Sequence, residues 1–299
     1  MILVTGAGGF VGRHLVAALL AQGVAVRGLD LPGVPAPPPH PLLQWQSADL
    51  CAPGIPAAAV AGAEAVVHLA VLVASSDERR NRQVNTEAAG ALIDAAEAAG
   101  CRRFVLMSAA AAKFRHANAY GRSKRAAEAL LHGRGIPHAI LRTPLILGRG
   151  GEEFDRFVKF VGMLPGVVLV FGNGRAVKRP VHIDDVVAGL IRMLEMAILD
   201  GEILELACRE PVSLNQFIDE VALRLKGRRK RLHIPLAFSL VLAWLAEALL
   251  RERSPVTPDI LLGLNEDVDF DVAPTLALLG IEPKPLSQAL DQAMSRSTC

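Results

Sequence analysis

Only four cysteines stand among the 299 residues, Cys51, Cys101, Cys208 and Cys299, and no two form a CxxC pair. That scatter argues against a disulfide framework and a thiolate zinc site, and it fits a reducing compartment. An excess of one charge is also missing. Lys plus Arg number 32 against 30 Asp plus Glu, a formal net charge of +2, so no nucleic-acid footprint is expected. Long apolar runs are missing as well. The longest nearly uncharged stretch is "IPLAFSLVLAWLA", 234–246, short of the roughly 20 residues that a spanning helix needs. The opening "MILVTGAGGFVG" reads as a strand and a glycine turn. It lacks a basic n-region before an apolar h-region, so no signal peptide and a cytoplasmic location are expected.

What is present is core material. Hydrophobic residues make up 52% of the chain, enough for one large α/β domain or a domain plus a smaller lobe. Short apolar runs at 2–5, 25–29, 42–46, 65–69, 103–107 and 138–142 read as strands covered on both faces. Helical segments at 10–22, 81–99 and 119–133 lie between them, which predicts a doubly wound parallel sheet. Residues 31–41, "LPGVPAPPPHP", must form an irregular loop, because proline neither donates to a ladder nor continues a helix. Beyond residue 150 helices predominate: 152–162, 184–196, 214–226, 236–250 and 286–296, with short strands near 167–171 and 202–206. "SLNQ", 213–216, is a capping box. The expected division is a cofactor domain, 1–150, and a mostly helical substrate lobe, 151–299, with some chain crossing back to the sheet.

"VTGAGGFVG" places Gly6, Gly9 and Gly12 after a strand and before an amphipathic helix. Glycines let the turn tighten, and the helix N-terminus offers its dipole to a pyrophosphate. Asp30 ends the second strand, where a carboxylate accepts both ribose hydroxyls and repels a 2′-phosphate, so NAD is preferred to NADP. Arg27 lies nearby, but alternation along a strand turns it from its neighbours. Asp49 reads equally as an adenine acceptor or as a turn cap.

"TGAGGFVG", Asp30, "ADL", "VVHLA", "VNTEAAGALIDAAEAAGCRRFVLMS", "YGRSK", "LRTPLILGRGG" and "VHIDDVVAGL" occur in order. Together they resemble the extended branch of the short-chain dehydrogenase/reductase superfamily. That branch includes NAD-dependent nucleotide-sugar epimerases and dehydratases and the 3β-hydroxysteroid dehydrogenases. The resemblance covers nearly the whole chain. It implies a Rossmann domain holding NAD and a C-terminal lobe holding a small-molecule substrate. It implies Gly6, Gly9, Phe10, Val11 and Gly12 as the phosphate turn. Asp30 matches the ribose acceptor, Asp49 and Leu50 the adenine site, and Leu69 and Ala70 the cofactor lining. Asn85 matches the residue that braces the sheet, Pro144 the nicotinamide loop, and Tyr120 with Lys124 the catalytic YxxxK.

Tyr120 and Lys124 are four apart and share a helix face. A tyrosine working as a base near neutrality needs its pKa of ~10 lowered by about three units, roughly 4 kcal/mol of anion stabilisation. A lysine ammonium and a positive nicotinamide ring supply it. The family's hydroxyl after the fifth strand falls on Ala109, and Ser108 is one residue early, on the opposite face of a strand. Ser108 therefore serves catalysis only if the loop shifts by one. The acid/base pair of the dehydratases falls on Ala110 and Ala111, which argues against dehydration. His116 and Asn118 are polar substitutes or a solvated loop.

In the second half, Arg175, Lys178 and Arg179 are expected either at a substrate diphosphate or in a solvated basic loop. His182, Asp184 and Asp185 are read not as a metal cluster but as a motif that organises the lobe interface, with Asp184 or Asp185 capping the next helix. "KGRRKR", 226–231, followed by the apolar 234–246, suggests a membrane-surface anchor. The preferred reading is a solvated turn and a buried lobe helix, because the segment is apolar all round. The expected activity is an NAD-dependent epimerase or dehydrogenase acting on a nucleotide-activated sugar. The alternatives are a 3β-hydroxysteroid-type alcohol dehydrogenase and a non-catalytic NAD-binding sensor, the latter suggested by Ala109. By resemblance, 81–99 and 119–133 would form a homodimer seam.

Overall fold

The structure is a computed structural model that describes residues 1–73, 77–197, 199–225, 227, 229–250 and 257–295, with backbone alone at 248–250. Cys299, residue 296 at the end of the expected last helix, and Lys226 and Arg228 of the basic run lie outside the described residues.

Seven parallel strands form the central sheet. Six are β1 (Ile2–Thr5), β2 (Val26–Asp30), β3 (Leu43–Ser47), β4 (Ala65–His68), β5 (Arg103–Ala109) and β6 (His138–Thr143), and the seventh is the edge strand Asp200–Glu205. Their spatial order is the edge strand, β6, β5, β4, β1, β2, β3. The order reverses between β1 and β4, and a doubly wound sheet opens its ligand crevice at such a switch point. Alternation sorts each strand between two cores: Phe104 and Leu106 of β5 enter one, and Val105 enters the other. The helices Ala88–Ala98 and Ala119–Ala129 cover the first face, and Phe10–Ala21 and Ile183–Glu195 cover the other.

The 150 boundary does not separate these layers. The edge strand pairs with β6, and Ile183–Glu195 packs on Phe10–Ala21. Val268, Phe270, Val272, Leu276 and Leu279 also join the core that holds Val4 and Leu15. The remaining lobe has its own core, in which Phe154 and Leu290 are buried and the Phe157 and Phe217 rings stack at 4.8 Å.

Three small strand pairs form outside the main sheet, and of their strands only Val167–Phe171 was expected from the sequence. Ile146–Leu147 joins Val181–His182, Val177–Lys178 joins Val212–Ser213, and Val167–Phe171 joins Lys230–Ile234. The last replaces part of the expected solvated turn. The expected helix 81–99 is three pieces: α over Glu78–Asn81, a wide π turn over Arg82–Glu87, and α over Ala88–Ala98. The expected buried helix is a correction of another kind. Leu236–Leu250 forms, but Phe238, Val241, Leu242, Trp244 and Leu245 are exposed.

Candidate active site

The glycine turn is shaped by close approach. Gly6 has φ +67°, and a Cβ there would lie 2.8 Å from the Ala70 nitrogen. A Cβ on Gly12 would lie 2.0 Å from the Gly6 carbonyl oxygen, so only glycine lets the helix start this close to β1. Phe10–Ala21 begins with Gly9 as N-cap, with no side-chain cap and no acid in its first turn. Its leading N–H groups, those of Phe10 and Val11 among them, therefore present a positive dipole end with no carboxylate in the helix's own first turn.

Asp30 accepts from the Gly8 N–H at 2.7 Å and the Leu31 N–H at 2.8 Å. A carboxylate has about four lone-pair sites, so acceptor capacity for a ribose is left. Arg27 donates to the carbonyls of Ala59 and Ala61, both at 2.7 Å, and to Gln44. Its charge is thereby committed away from the place a 2′-phosphate would occupy. Asp49 accepts from the Cys51 N–H at 2.9 Å, a turn contact on an exposed residue. Leu50 and Leu69 are buried, and Ala70 donates its N–H to Thr5 Oγ1 at 3.3 Å.

Tyr120 is the chain's only tyrosine. It opens the Ala119–Ala129 helix, whose N-cap is Asn118, accepting from the Gly121 N–H at 2.8 Å. The alanine run is a packing surface. Ala110 and Ala112 are buried in a tight 3₁₀ turn, and a Cβ on Gly121 would lie 2.5 Å from the Ala111 carbonyl oxygen. Lys124, buried one turn along, donates to the Met107 carbonyl at 2.7 Å. Burial pushes its ammonium down to about 8 against the upward pull of Glu128. Burial raises the Tyr120 phenol, and the Glu153 carboxylate raises it further. Glu153, on Glu152–Gly162, is accessible to solvent but enclosed closely enough that desolvation raises its own carboxyl.

Asn85 braces this helix. Its amide oxygen accepts from the Leu72 N–H at 2.7 Å, and its nitrogen donates to Ser123 Oγ at 2.9 Å. Ser123 in turn donates to the Tyr120 carbonyl at 2.8 Å. The wide turn over Arg82–Glu87 is what carries Asn85 here.

Ser108 is turned to other work. It is buried and donates to Glu128, whose carboxylate also takes the Arg142 Nε at 2.9 Å and Nη2 at 2.6 Å. Ser108, Arg142 and Glu205 face each other in register across β5, β6 and the edge strand. A serine locked in that row is not a free hydroxyl for Tyr120, so its catalytic role is withdrawn. Ala109, the next residue, has only a methyl.

His116 and Asn118 are likewise committed. The His116 N–H and ring both meet Glu266, at 3.0 and 2.8 Å. In the second lobe Lys178 donates to the Glu266 carbonyl at 2.6 Å, and burial pushes it down to about 8. Arg179 donates to the carbonyls of Cys208 at 3.2 Å and Arg209 at 2.5 Å, while Arg175 is exposed. His182, not Asp184 or Asp185, caps Ile183–Glu195, accepting from the Asp184 N–H at 3.2 Å. Asp185 receives the Lys284 N–H at 3.0 Å and so fastens the C-terminal segment.

The family model described as NAD dependent epimerase/dehydratase matches residues 2–207. The chain belongs to this family. NAD is its cofactor, and the open glycine turn and Asp30 fit it. A ceramide reductase of Caulobacter vibrioides is 31% identical over 204 residues, covering 67% of this chain and 62% of that protein. A 3-beta-hydroxysteroid dehydrogenase of Mycolicibacterium neoaurum is 31% identical over 206 residues, covering 59% and 56%. The chain thus spans less than two thirds of the length of either relative. The UDP-glucuronic acid 4-epimerase of Bacillus cereus, solved with UDP-glucuronic acid and NAD, shares the fold. Its TM-score is 0.75 at 20% identity, over 98% of this chain and 97% of that one.

Sequence reasoning missed four residues that the structure places in contact with, or electrostatically coupled to, the expected site residues. Glu153 sits in the acidic "GEEFD", Glu266 in "NEDVDFD", and Glu128 in the helix after Tyr120, and no local pattern ties any of them to the site. His68 had a signal, since it ends an otherwise apolar strand. It is buried, meets the Thr5 hydroxyl at 2.7 Å, and is pushed down to about 3 by burial and then by Lys124.

Proposed function

We propose that this chain is an NAD(H)-dependent oxidoreductase that interconverts a secondary hydroxyl and a carbonyl on an apolar, lipid-like substrate. The observation that carries this reading is the use of the cations in the second lobe. Lys178 and Arg179, read with Arg175 either at a sugar-nucleotide diphosphate or in a solvated basic loop, donate to the backbone carbonyls of Glu266, Cys208 and Arg209, and of the three only Arg175 is exposed. The names of the ceramide reductase and the hydroxysteroid dehydrogenase support an apolar substrate class.

NAD(H), when bound, supplies or takes the hydride. The chain's residues handle the proton. Burial and Glu153 keep the Tyr120 phenol protonated near neutrality, which suits donation to a carbonyl oxygen as hydride reaches its carbon. The phenolate left behind is stabilised by the Lys124 ammonium, charged below about 8. Alcohol oxidation runs the same transfers in reverse. Asn85, through Ser123, holds the Tyr120 turn in place. Ala109 offers no hydroxyl to the substrate oxygen, so Tyr120 is the side-chain donor this reading relies on.

The test is NADH oxidation with long-chain keto lipids and 3-ketosteroids in detergent, set beside UDP-, dTDP- and GDP-sugars. Turnover is expected with an apolar ketone, falling by about 10²–10⁴ in Tyr120→Phe. Turnover of a nucleotide sugar overturns the substrate class. Cofactor binding without turnover of any substrate favours the sensor reading.

A further inference from the structure

The helix Leu236–Leu250 is built inside out. The residues it turns to the lobe are small: Ser239 is 2% exposed and Ala243 3%. Its large apolar residues face away, with Phe238 58% and Trp244 63% exposed. At 100° per residue, Ala237, Phe238, Val241, Leu242, Trp244 and Leu245 sweep an outer arc of roughly 160°. A surface helix of a globular protein puts its apolar stripe inward and its charges outward. Here the first charged residue of the helix is Glu247.

The approach to this helix is basic. The strand Lys230–Ile234 leads into it through Pro235. Lys230 is exposed, while Arg229 beside it donates to the Gly162 and Leu164 carbonyls and Arg231 pairs with Asp219 at 2.9 Å, so the headgroup contact falls to Lys230. From 229 to 246 the chain holds three cations and no carboxylate. Leu232, on the same strand, is also exposed.

We infer that the outer face of the Leu236–Leu250 helix docks on an anionic lipid bilayer surface, with Lys230 meeting the headgroups and Phe238 and Trp244 entering the interface. Charge complementarity selects this occupant. An exposed lysine, Lys230, at the entry to an uncharged, aromatic-bearing face matches the layered order of phosphates over acyl chains. A seam between two copies would make no use of the cation. The helix is 15 residues long, about 22 Å, shorter than the roughly 30 Å of a bilayer core. It therefore lies in the surface plane. Trp and Phe favour that depth because they are large and tolerate a half-wet boundary.

The helix is also joined to the catalytic lobe. It packs against Pro258–Asn265, and the next residue, Glu266, holds His116 in the loop before Tyr120. Docking would therefore set the substrate lobe at the membrane surface. The inference stands apart from the substrate reading, since it is measured without substrate.

The test is co-sedimentation of the full chain with phosphatidylcholine vesicles, with and without 30% phosphatidylglycerol (about one anionic lipid in three, enough to set a negative surface potential). Binding is expected only with the anionic vesicles, weakened in high salt. Phe238→Ser with Trp244→Ser is expected to lower the partition coefficient at least about tenfold, while NADH binding is retained. Lys230→Glu is expected to weaken binding to anionic vesicles alone. Wild-type fluorescence should shift to the blue on binding, and the shift should be lost in Trp244→Phe. No vesicle binding overturns the proposal. So does a concentration-dependent dimer that dissociates in the double variant and ignores lipid.

Discussion

Burial raises the Tyr120 phenol most and the Glu153 carboxylate adds to it, so removal of Glu153 should be visible in a pH profile. The carboxylate raises the phenol, so Glu153→Gln lowers it. Oxidation needs the deprotonated phenol, and the acid limb of its rate profile is expected to move to lower pH; an unmoved limb would remove Glu153 from the site. At Ala109 the change runs the other way. Ala109→Ser restores a hydroxyl at the position left bare, and kcat is expected to rise by up to about 10², the lower end of what one such donor is worth. His68 ties stability to acid. Folded, its pKa is about 3, below its ordinary 6.5. The unfolded chain binds more protons between those values, so stability is full above about 6.5 and is lost as pH falls toward 3. Thermal melts across that range should slope less in His68→Gln.

Among the elements, the row Ser108, Glu128, Arg142 is the most exposed to single changes. Glu128→Ala removes the two-point partner of Arg142 and leaves only Glu205 at 3.5 Å, a loss of about 1.5–3 kcal/mol, readable as a drop in the denaturation midpoint. The six strands and the helices around them were legible, because continuous apolar runs and helical spacing carry those elements. The NAD turn and the Tyr120–Lys124 spacing were legible for the same local reason. The facing of Ser108 was only half legible: alternation indicated the wrong face, but Glu128 lies 20 residues on, and no local pattern announces a partner at that range. The paired strands of two residues, Ile146–Leu147 and Val177–Lys178, are too short to show a period. The Leu236–Leu250 helix misled for a different reason. Apolar residues on every side mean burial only when protein covers them, and composition does not say what the cover is.

At the scale of the whole molecule, the cofactor site is drawn from the first half, yet the layer beneath it is completed from the second. A chain cut after residue 207, where the family match ends, would leave Val186, Leu190 and Leu206 without Val268, Phe270 and Leu276 against them. Such a truncation is expected to lose its cooperative thermal transition, and NAD should no longer raise the midpoint as it does by mass action in the full chain. The same threading sets an order in time. On the ribosome β1 and its glycine turn emerge well ahead of the rest of their core, which stays open until the segment through Leu279 has cleared the tunnel. Chaperones would thus meet the nucleotide fold unfinished until that segment is out, and its closure would come as one event after Leu279 rather than as a first domain folding ahead of a second.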